Sequence, residues 1–428
     1  MATFPRSLWP SSRDRKGETR FRGRQVGRSR SVLGPDSVGM RQSLVALTFS
    51  SLTAVVAGGF LAGMTGTLER NPGLLVLIPA AIGMRGNIFG ALGSRLATSI
   101  HAGTFRMSRR NDSLVIQNAI AAASLSLVTA LVLAVLTKVL APIFGLSSVI
   151  AISDLIVMSV IGSLLSFIVL IAVTLALAAR SAERGWDLDD VNAPLVSAVG
   201  DVVTLPALLV ASLLLEMSNF TVVLSAIVIV ATLVSLGWVR QSRLNLVRLI
   251  LWESLPILLA TGIVLVIAGV VIEHELAAFA ENRAMLILVP SCLGTAGAIG
   301  GILSARMSSK FHLGVIEPVA VPGRLARRDF IAALLIAVPV LLLNGFLAQL
   351  TSQVFGFASP GVASLVSISV LGGALATLLA GAIAYYGMAL AVRAGVDPDT
   401  YGMPLVTSSV DLGGAAAIVL TIGWVGLS

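Results

Sequence analysis

Residues 79–103 read PAAIGMRGNIFGALGSRLATSIHAG, and residues 290–314 read PSCLGTAGAIGGILSARMSSKFHLG. The two align without a gap at a spacing of 211 residues. Pro79 falls on Pro290, Gly83 on Gly294, Gly86 on Gly297, Gly90 on Gly301, Arg95 on Arg306, His101 on His312 and Gly103 on Gly314. Apolar helices resemble one another by chance, but aligned proline, glycine, arginine and histidine do not. The chain therefore reads as an internal duplication.

Of the 428 residues, 56% are hydrophobic and 12% charged, against about a quarter charged in an ordinary soluble protein. Repeated apolar stretches near the length that crosses a bilayer imply an all-α polytopic membrane protein. A single cysteine, Cys292, excludes an intrachain disulfide and a cysteine-rich metal site. The net charge of +8 comes mostly from the N-terminal segment and the loops between apolar spans. That distribution fits the positive-inside bias of a protein whose partner is the lipid bilayer, and no nucleic acid partner is expected.

Apolar spans fall near 44–64, 73–92, 114–137, 147–178, 194–215, 220–239, 249–272, 284–303, 330–352, 361–391 and 404–426, eleven in all. The spans at 147–178 and 361–391 exceed one crossing and read as tilted helices or helices kinked near Gly162 and Gly381. Residues 1–43, ten of them Arg or Lys, read as a basic, disordered cytoplasmic tail without the apolar core of a secretory signal, an organellar targeting peptide or a regulatory plug being the alternatives. With that tail inside, Arg95, Arg106, Arg109, Arg110, Arg180, Arg184, Arg240, Arg243, Arg248, Arg306, Lys310, Arg324, Arg327, Arg328 and Arg393 all fall on the cytoplasmic side. The other side receives Arg70, Lys138 and Arg283 with the acids Glu69, Glu216, Glu273, Glu275 and Glu281. The C-terminus is then extracytoplasmic in a multi-pass protein of the cell membrane. Five spans per repeat would invert the second copy, so the extra span at 220–239 restores its orientation. The expected organisation is a tail (1–43), a five-helix repeat (44–217), a linking helix with a basic loop (218–247) and a second, parallel five-helix repeat (248–428).

Two carboxylates interrupt the apolar spans at matched places. Asp201 lies seven residues after Pro194 and Asp411 seven after Pro404, in a shared pattern P-L-V-x-x-x-x-D offset by 210 residues. A lone carboxylate in an apolar helix costs several kcal/mol unless it is paired, protonated or metal-bound. A cation or proton site is one reading, and a structural hydrogen bond or an interfacial position is the other. Asn87, in the middle of the glycine-rich helix, offers an amide oxygen, and the glycines leave backbone carbonyls accessible, although small residues also serve helix packing. An oxygen-only set suits hard divalent ions such as Mg²⁺ or Ca²⁺.

The remaining candidates carry less. Arg85 would repel a cation and is expected to snorkel or to pair with an acid, with an anion-selective role as the alternative. His101 and His312 read as interfacial caps, Glu253 as interfacial and structural, and Asp154 as at best secondary. The loop acids Asp187, Asp189, Asp397 and Asp399 read as solvated charges or as a small cytoplasmic ion sensor. Neither a phosphate-binding G-x-x-x-x-G-K-[ST] nor an H-E-x-x-H or G-x-S-x-G motif occurs, so an enzyme is not expected.

The segment PAAIGMRGNIFGALGSRLAT resembles the signature helix of the MgtE-type and solute-carrier-family-41 divalent cation transporters, P-x-x-x-G-x-x-G-N followed by S-R-L-A/S-T. The segment PLVSAVGDVVTL is similar to that family's fifth helix, P-x-x-x-x-x-x-D, and the resemblance extends over residues 41–428. It implies an Mg²⁺ pathway between two halves, with the acidic pore residue at Asp201 and Asp411 and the G-N pair at Gly86 and Asn87. In the second half the pair is Gly297 and Ala298, which removes one side-chain oxygen and implies a lopsided site nearer to Asn87. No counterpart of the family's acidic and CBS sensing domains is apparent, so their gating is not carried over.

The expected function is transmembrane transport of divalent cations, Mg²⁺ foremost, with Asp201, Asp411, Asn87, Gly86, Gly297 and Ala298 around the ion. A Na⁺- or H⁺-coupled exchanger and a non-transporting structural or sensor protein are the alternatives. One chain carries both units, so a monomer suffices and a homodimer stays open.

Overall fold

Apolar runs of this length satisfy their backbone groups in a bilayer by forming helices. The computed structural model describes residues 37–106, 113–146, 148–184, 188–216, 218–242, 244–312, 314–394 and 403–427. Most of the tail, together with Asp187, Asp397 and Asp399, lies outside them, as does the side chain of Asp189. Eleven long helices follow in order: α1 (Ser37–Gly63), α2 (Leu74–His101), α3 (Leu114–Ile143), α4 (Ile152–Arg184), α5 (Leu188–Ser212), α6 (Ser218–Gln241), α7 (Asn245–Glu273), α8 (Ala284–His312), α9 (Arg324–Phe355), α10 (Val362–Ala394) and α11 (Met403–Val425). Each contains a stretch long and apolar enough to cross a membrane, so the protein is an all-α, multi-pass membrane protein with eleven such helices among the described residues. The long spans are single uninterrupted helices, α4 and α10.

The order of packing is not the order of the chain. α1 leaves its sequence neighbours and lies on α8 and α9, while α7 lies on α2 and α3. Glycine makes both crossings possible. A Cβ on Gly58 of α1 would stand 2.6 Å from the Ile287 backbone of α8. On Gly269 of α7 it would stand 2.2 Å from the Val76 carbonyl oxygen of α2. Neither site has room for more than a hydrogen. The short helices after α1 and α7, Thr65–Arg70 and Leu276–Glu281, pack on each other. Glu273, at the end of α7, accepts a hydrogen bond from the Gly73 N–H at the start of α2, at 2.8 Å.

The seams beside these crossings differ in chemistry. On α1, Ser51 donates to the Asn344 side-chain oxygen of α9, and Asn344 Nδ2 reaches Thr295 Oγ1 (3.1 Å) and the Ser291 carbonyl (3.3 Å) of α8. On α7, Gly262 instead faces Met84, Leu133 and Leu136, all apolar. Within each group of helices a serine fastens a neighbour: Ser159 of α4 donates to the Ala130 carbonyl of α3, and Ser369 of α10 to the Leu341 carbonyl of α9, both at 2.7 Å. Gly162 closes on Leu208 of α5, and Gly372 on Ile418 and Thr421 of α11. α6 is set apart, with most of its apolar surface exposed, as lipid contact requires.

α2 and α8 border a crevice. Residues 74–81 and 284–293 are buried, but Gly83, Gly86, Asn87, Gly90, Ser94 and Thr98 of α2 are half-buried or exposed. So are Gly294, Gly297, Ala298, Gly301, Ala305 and Ser309 of α8. Spacings of three and four put each set on one face, and beside Gly86, Gly90 and Gly301 there is open space. The crevice is closed toward the N-terminal ends of α2 and α8 and open toward their C-terminal ends.

Two outcomes follow from this packing. Gly269→Ala lowers stability by about 3 kcal/mol through overpacking against backbone, whereas Gly237→Ala, where nothing lies within 4 Å, is neutral; thermal unfolding in detergent reads both. In a Cys292→Ser background, Ser94→Cys and Ser309→Cys react with a membrane-impermeant maleimide, and Ile78→Cys and Leu288→Cys do not. Equal labelling at all four positions rules the one-sided crevice out.

Candidate functional site

The two acidic residues ride on helices of different surroundings. Asp201 lies in mid-helix on α5, which packs against α1, α2 and α4, and is 7% exposed. Asp411 lies on α11, which packs against α7, α8 and α10 and also touches α2. Pro404 sits in the first turn of α11, where its missing N–H costs no intrahelical bond.

Asp411 stands between the two glycine-rich helices. Its Oδ2 lies 3.4 Å from the position of a Cβ on Gly83 of α2, and its Oδ1 3.6 Å from that on Gly297 of α8. Each oxygen thus faces one helix where the absence of a side chain leaves room for it. Asp411 is also close enough to Asp201 to feel its charge. The arrangement is not mirrored at Asp201. Gly294, which aligns with Gly83, faces the Ala54 methyl of α1, and nothing stands within 4 Å of a Cβ on Gly86, which aligns with Gly297. The two halves differ in which glycines have a carboxylate beside them, as well as in Asn87 against Ala298.

The other sequence candidates fall around this point. Asn87, one turn beyond Gly83, is half-buried on the crevice face, and its Nδ2 has no hydrogen-bond partner. Gly86 is exposed on the same face, and Ala298 is half-buried on the facing stripe of α8. Two carboxylates within electrostatic reach repel each other in a medium of low polarity, and among the described residues no Lys or Arg forms a salt bridge with either. Such an arrangement can hold a cation through oxygen donors. Among the described residues no group of three or more His, Cys, Asp or Glu is placed so that it could hold a metal ion.

Several expectations change. Arg85 neither snorkels nor pairs with an acid among the described residues: it is 5% exposed, and its Nε and Nη1 have no partner. It projects away from the crevice, because it lies on the side of α2 opposite Gly83, Gly86 and Asn87. Arg95 Nε donates to Asn118 Oδ1 of α3 at 2.9 Å. At the aligned places Arg306 lies 3.7 Å from Asp329 of α9, and Lys310 donates to the same carboxylate. Glu253 is exposed on α7, and Asp154 opens α4 with Ser153 Oγ at 3.5 Å. His274 Nε2 lies 2.9 Å from the Phe144 carbonyl, while the side chains of His101 and His312 are outside the described set. Sequence reasoning passed over Ser94, Thr98, Ala305 and Ser309 as crevice-lining positions. The signal was available, since they continue the four-residue steps that begin at Gly90 and Gly301.

Comparison with known proteins assigns the family. The family model MgtE, "Divalent cation transporter", matches residues 78–211 and 289–421, more than half of the chain. Solute carrier family 41 member 3 of Mus musculus is 24% identical over 247 residues, 56% of this chain and 50% of that protein. Solute carrier family 41 member 2 of Homo sapiens is 24% identical over 376 residues, 81% of this chain and 63% of that protein. The chain thus spans about half to two thirds of the length of these curated relatives. Among solved structures, an inward-facing multidrug resistance transporter of the MATE family, MOP superfamily, aligns over 90% of this chain and 94% of that one at 15% identity. Its TM-score of 0.32 is too low to bear on fold or function. Each segment matched by the family model opens one residue before the proline of a glycine-rich helix and runs ten residues past an Asp, and with them the chain belongs to the MgtE family of divalent cation transporters, a family of transporters and not of enzymes.

Proposed function

We propose that this protein moves divalent cations, Mg²⁺ foremost, across a membrane through the crevice between α2 and α8. The observation that carries the reading is the Asp411 carboxylate wedged between Gly83 and Gly297, within electrostatic reach of Asp201, at the closed end of that crevice. Asp201 and Asp411 supply the negative charge. Asn87 supplies an amide oxygen, and the backbone at Gly86, Gly297 and Ala298 completes an oxygen lining. Two ionised carboxylates favour a doubly charged ion over Na⁺ or K⁺. Mg²⁺ dehydrates reluctantly, and a site with few full charges beside open space accepts it with part of its water.

The reading includes two parallel five-helix units, 44–217 and 248–428, joined by the linking segment 218–247 that contains α6. It is supported by contacts that recur at the same interval. Gly58 with Ile287 and Gly269 with Val76 are each displaced by 211 residues, and Gly162 with Leu208 and Gly372 with Ile418 by 210. The membrane-normal arrangement keeps the N-terminus and the basic loops cytoplasmic, in line with the charge bias. The crevice then opens toward the cytoplasm. A single chain supplies both units, so a monomer is sufficient for transport.

A crevice open at one end only also supports a second reading, a carrier that exchanges the ion against Na⁺ or H⁺. Flux of Mg²⁺ into vesicles of purified protein, with and without a Na⁺ or pH gradient, separates the two readings, and absence of flux under every gradient rejects both. Asp411→Asn reduces the flux about 10- to 100-fold, the value of one charge-assisted contact, and Asp201→Asn also reduces it, while both variants stay folded because the isostere removes a buried charge. Parent-level flux in both variants contradicts the shared carboxylate site.

A further inference from the structure

Arg85 takes no part in the crevice, and its surroundings point to a different ligand. At about 100° per residue, Arg85 lies on α2 between Met84 and Phe89. Met84 meets Leu133 and Leu136 of α3 beside Gly262, and the Phe89 ring lies 5.8 Å from that of Phe167 on α4. The side chain is therefore directed into the wedge formed by α2, α3 and α4, which pack on one another. There it is 5% exposed, with Nε and Nη1 unpartnered.

The wedge holds other idle donors. Ser126 and Thr137 lie seven residues before and four after Leu133, on the same face of α3. Both are buried, and neither hydroxyl oxygen has a partner. α3 runs antiparallel to α2, with Arg95 against Asn118 at one end and Met84 beside Leu133 further along. A helical side chain leans toward its helix N-terminus, so Arg85 leans toward the level of Thr137. The aligned positions 211 residues later are Ala296, Ala337 and Ala348. All three donors are missing from the second unit together, as residues serving one purpose would be.

Among the described residues, a guanidinium held in this setting with idle N–H groups has no counter-charge of the kind that stabilises a buried cation. We propose that Arg85 and Thr137 bind a small monovalent inorganic anion, halide in size, inside the first five-helix unit. One fixed positive charge matches one negative charge; the guanidinium can only donate and each hydroxyl can turn its O–H toward an anion, which suits an anion beside Arg85. The site is separate from the crevice and does not depend on which cation the protein carries.

The test uses the purified full chain in divalent-free buffer, with chloride, bromide or gluconate at equal ionic strength. The unfolding midpoint is expected to stand at least about 3 °C higher in the halides than in gluconate, as binding to the folded state alone requires. The difference disappears in Arg85→Gln and shrinks in Thr137→Val. Anomalous scattering from bromide falls beside the Arg85 guanidinium. Equal midpoints for the parent protein in chloride and gluconate overturn the proposal, and so does a halide effect that survives in Arg85→Gln. If Arg85→Gln does not fold, the parent comparison and the bromide position still decide. Without divalent ions present, the outcome is independent of the transport reading.

Discussion

The closest approach of backbone to backbone governs this structure. Gly269 lets α7 lie against the Val76 carbonyl, and Gly58 lets α1 lie against Ile287. Between helices in a membrane there is no aqueous driving force for association, so dense packing has to supply it, and small residues allow it. Because each crossing joins distant parts of the chain, α2–α3 and α8–α9 cannot drift apart without breaking one of them. Both α1 and α7 also reach the crevice faces, Ala54 of α1 beside Gly294 and Leu265 of α7 beside Gly83.

That frame decides where charge can reside. Asp411 projects from α11 into the gap left by two glycines, and its oxygens face two helices from different parts of the chain. A bulkier residue at either glycine would occupy the space the carboxylate uses. The seams around the crevice are chemically unequal. One is pinned through Ser51, Asn344 and Thr295, and the other is apolar around Gly262. Directional hydrogen bonds hold the first in one register, while apolar contact leaves the second without that constraint.

Much of the fold was legible beforehand. Eleven spans follow from hydropathy, because the length of an apolar run is a property of consecutive residues and the bilayer sets the scale. The matched pair Asp201 and Asp411 was legible for the same reason: a carboxylate in an apolar run is conspicuous wherever it points. Arg85 was expected to pair with an acid or to reach the interface, and among the described residues it does neither. Its helical position was known, but the identity of the facing surface was not, since that depends on how α3 and α4 close on α2.

The amino-acid sequence by itself determined the all-helical membrane class, the number of long apolar helices, the aligned motifs and the two acidic positions, because each is encoded in local composition and spacing. Only the tertiary structure decided that α1 and α7 lie on helices remote from them in the chain, that Asp411 stands beside Gly83 and Gly297 while Asp201 stands beside neither Gly86 nor Gly294, and that Arg85 is enclosed away from the crevice. Those outcomes depend on which faces meet, and in a bundle of similar apolar helices the choice is made by where a glycine permits close approach.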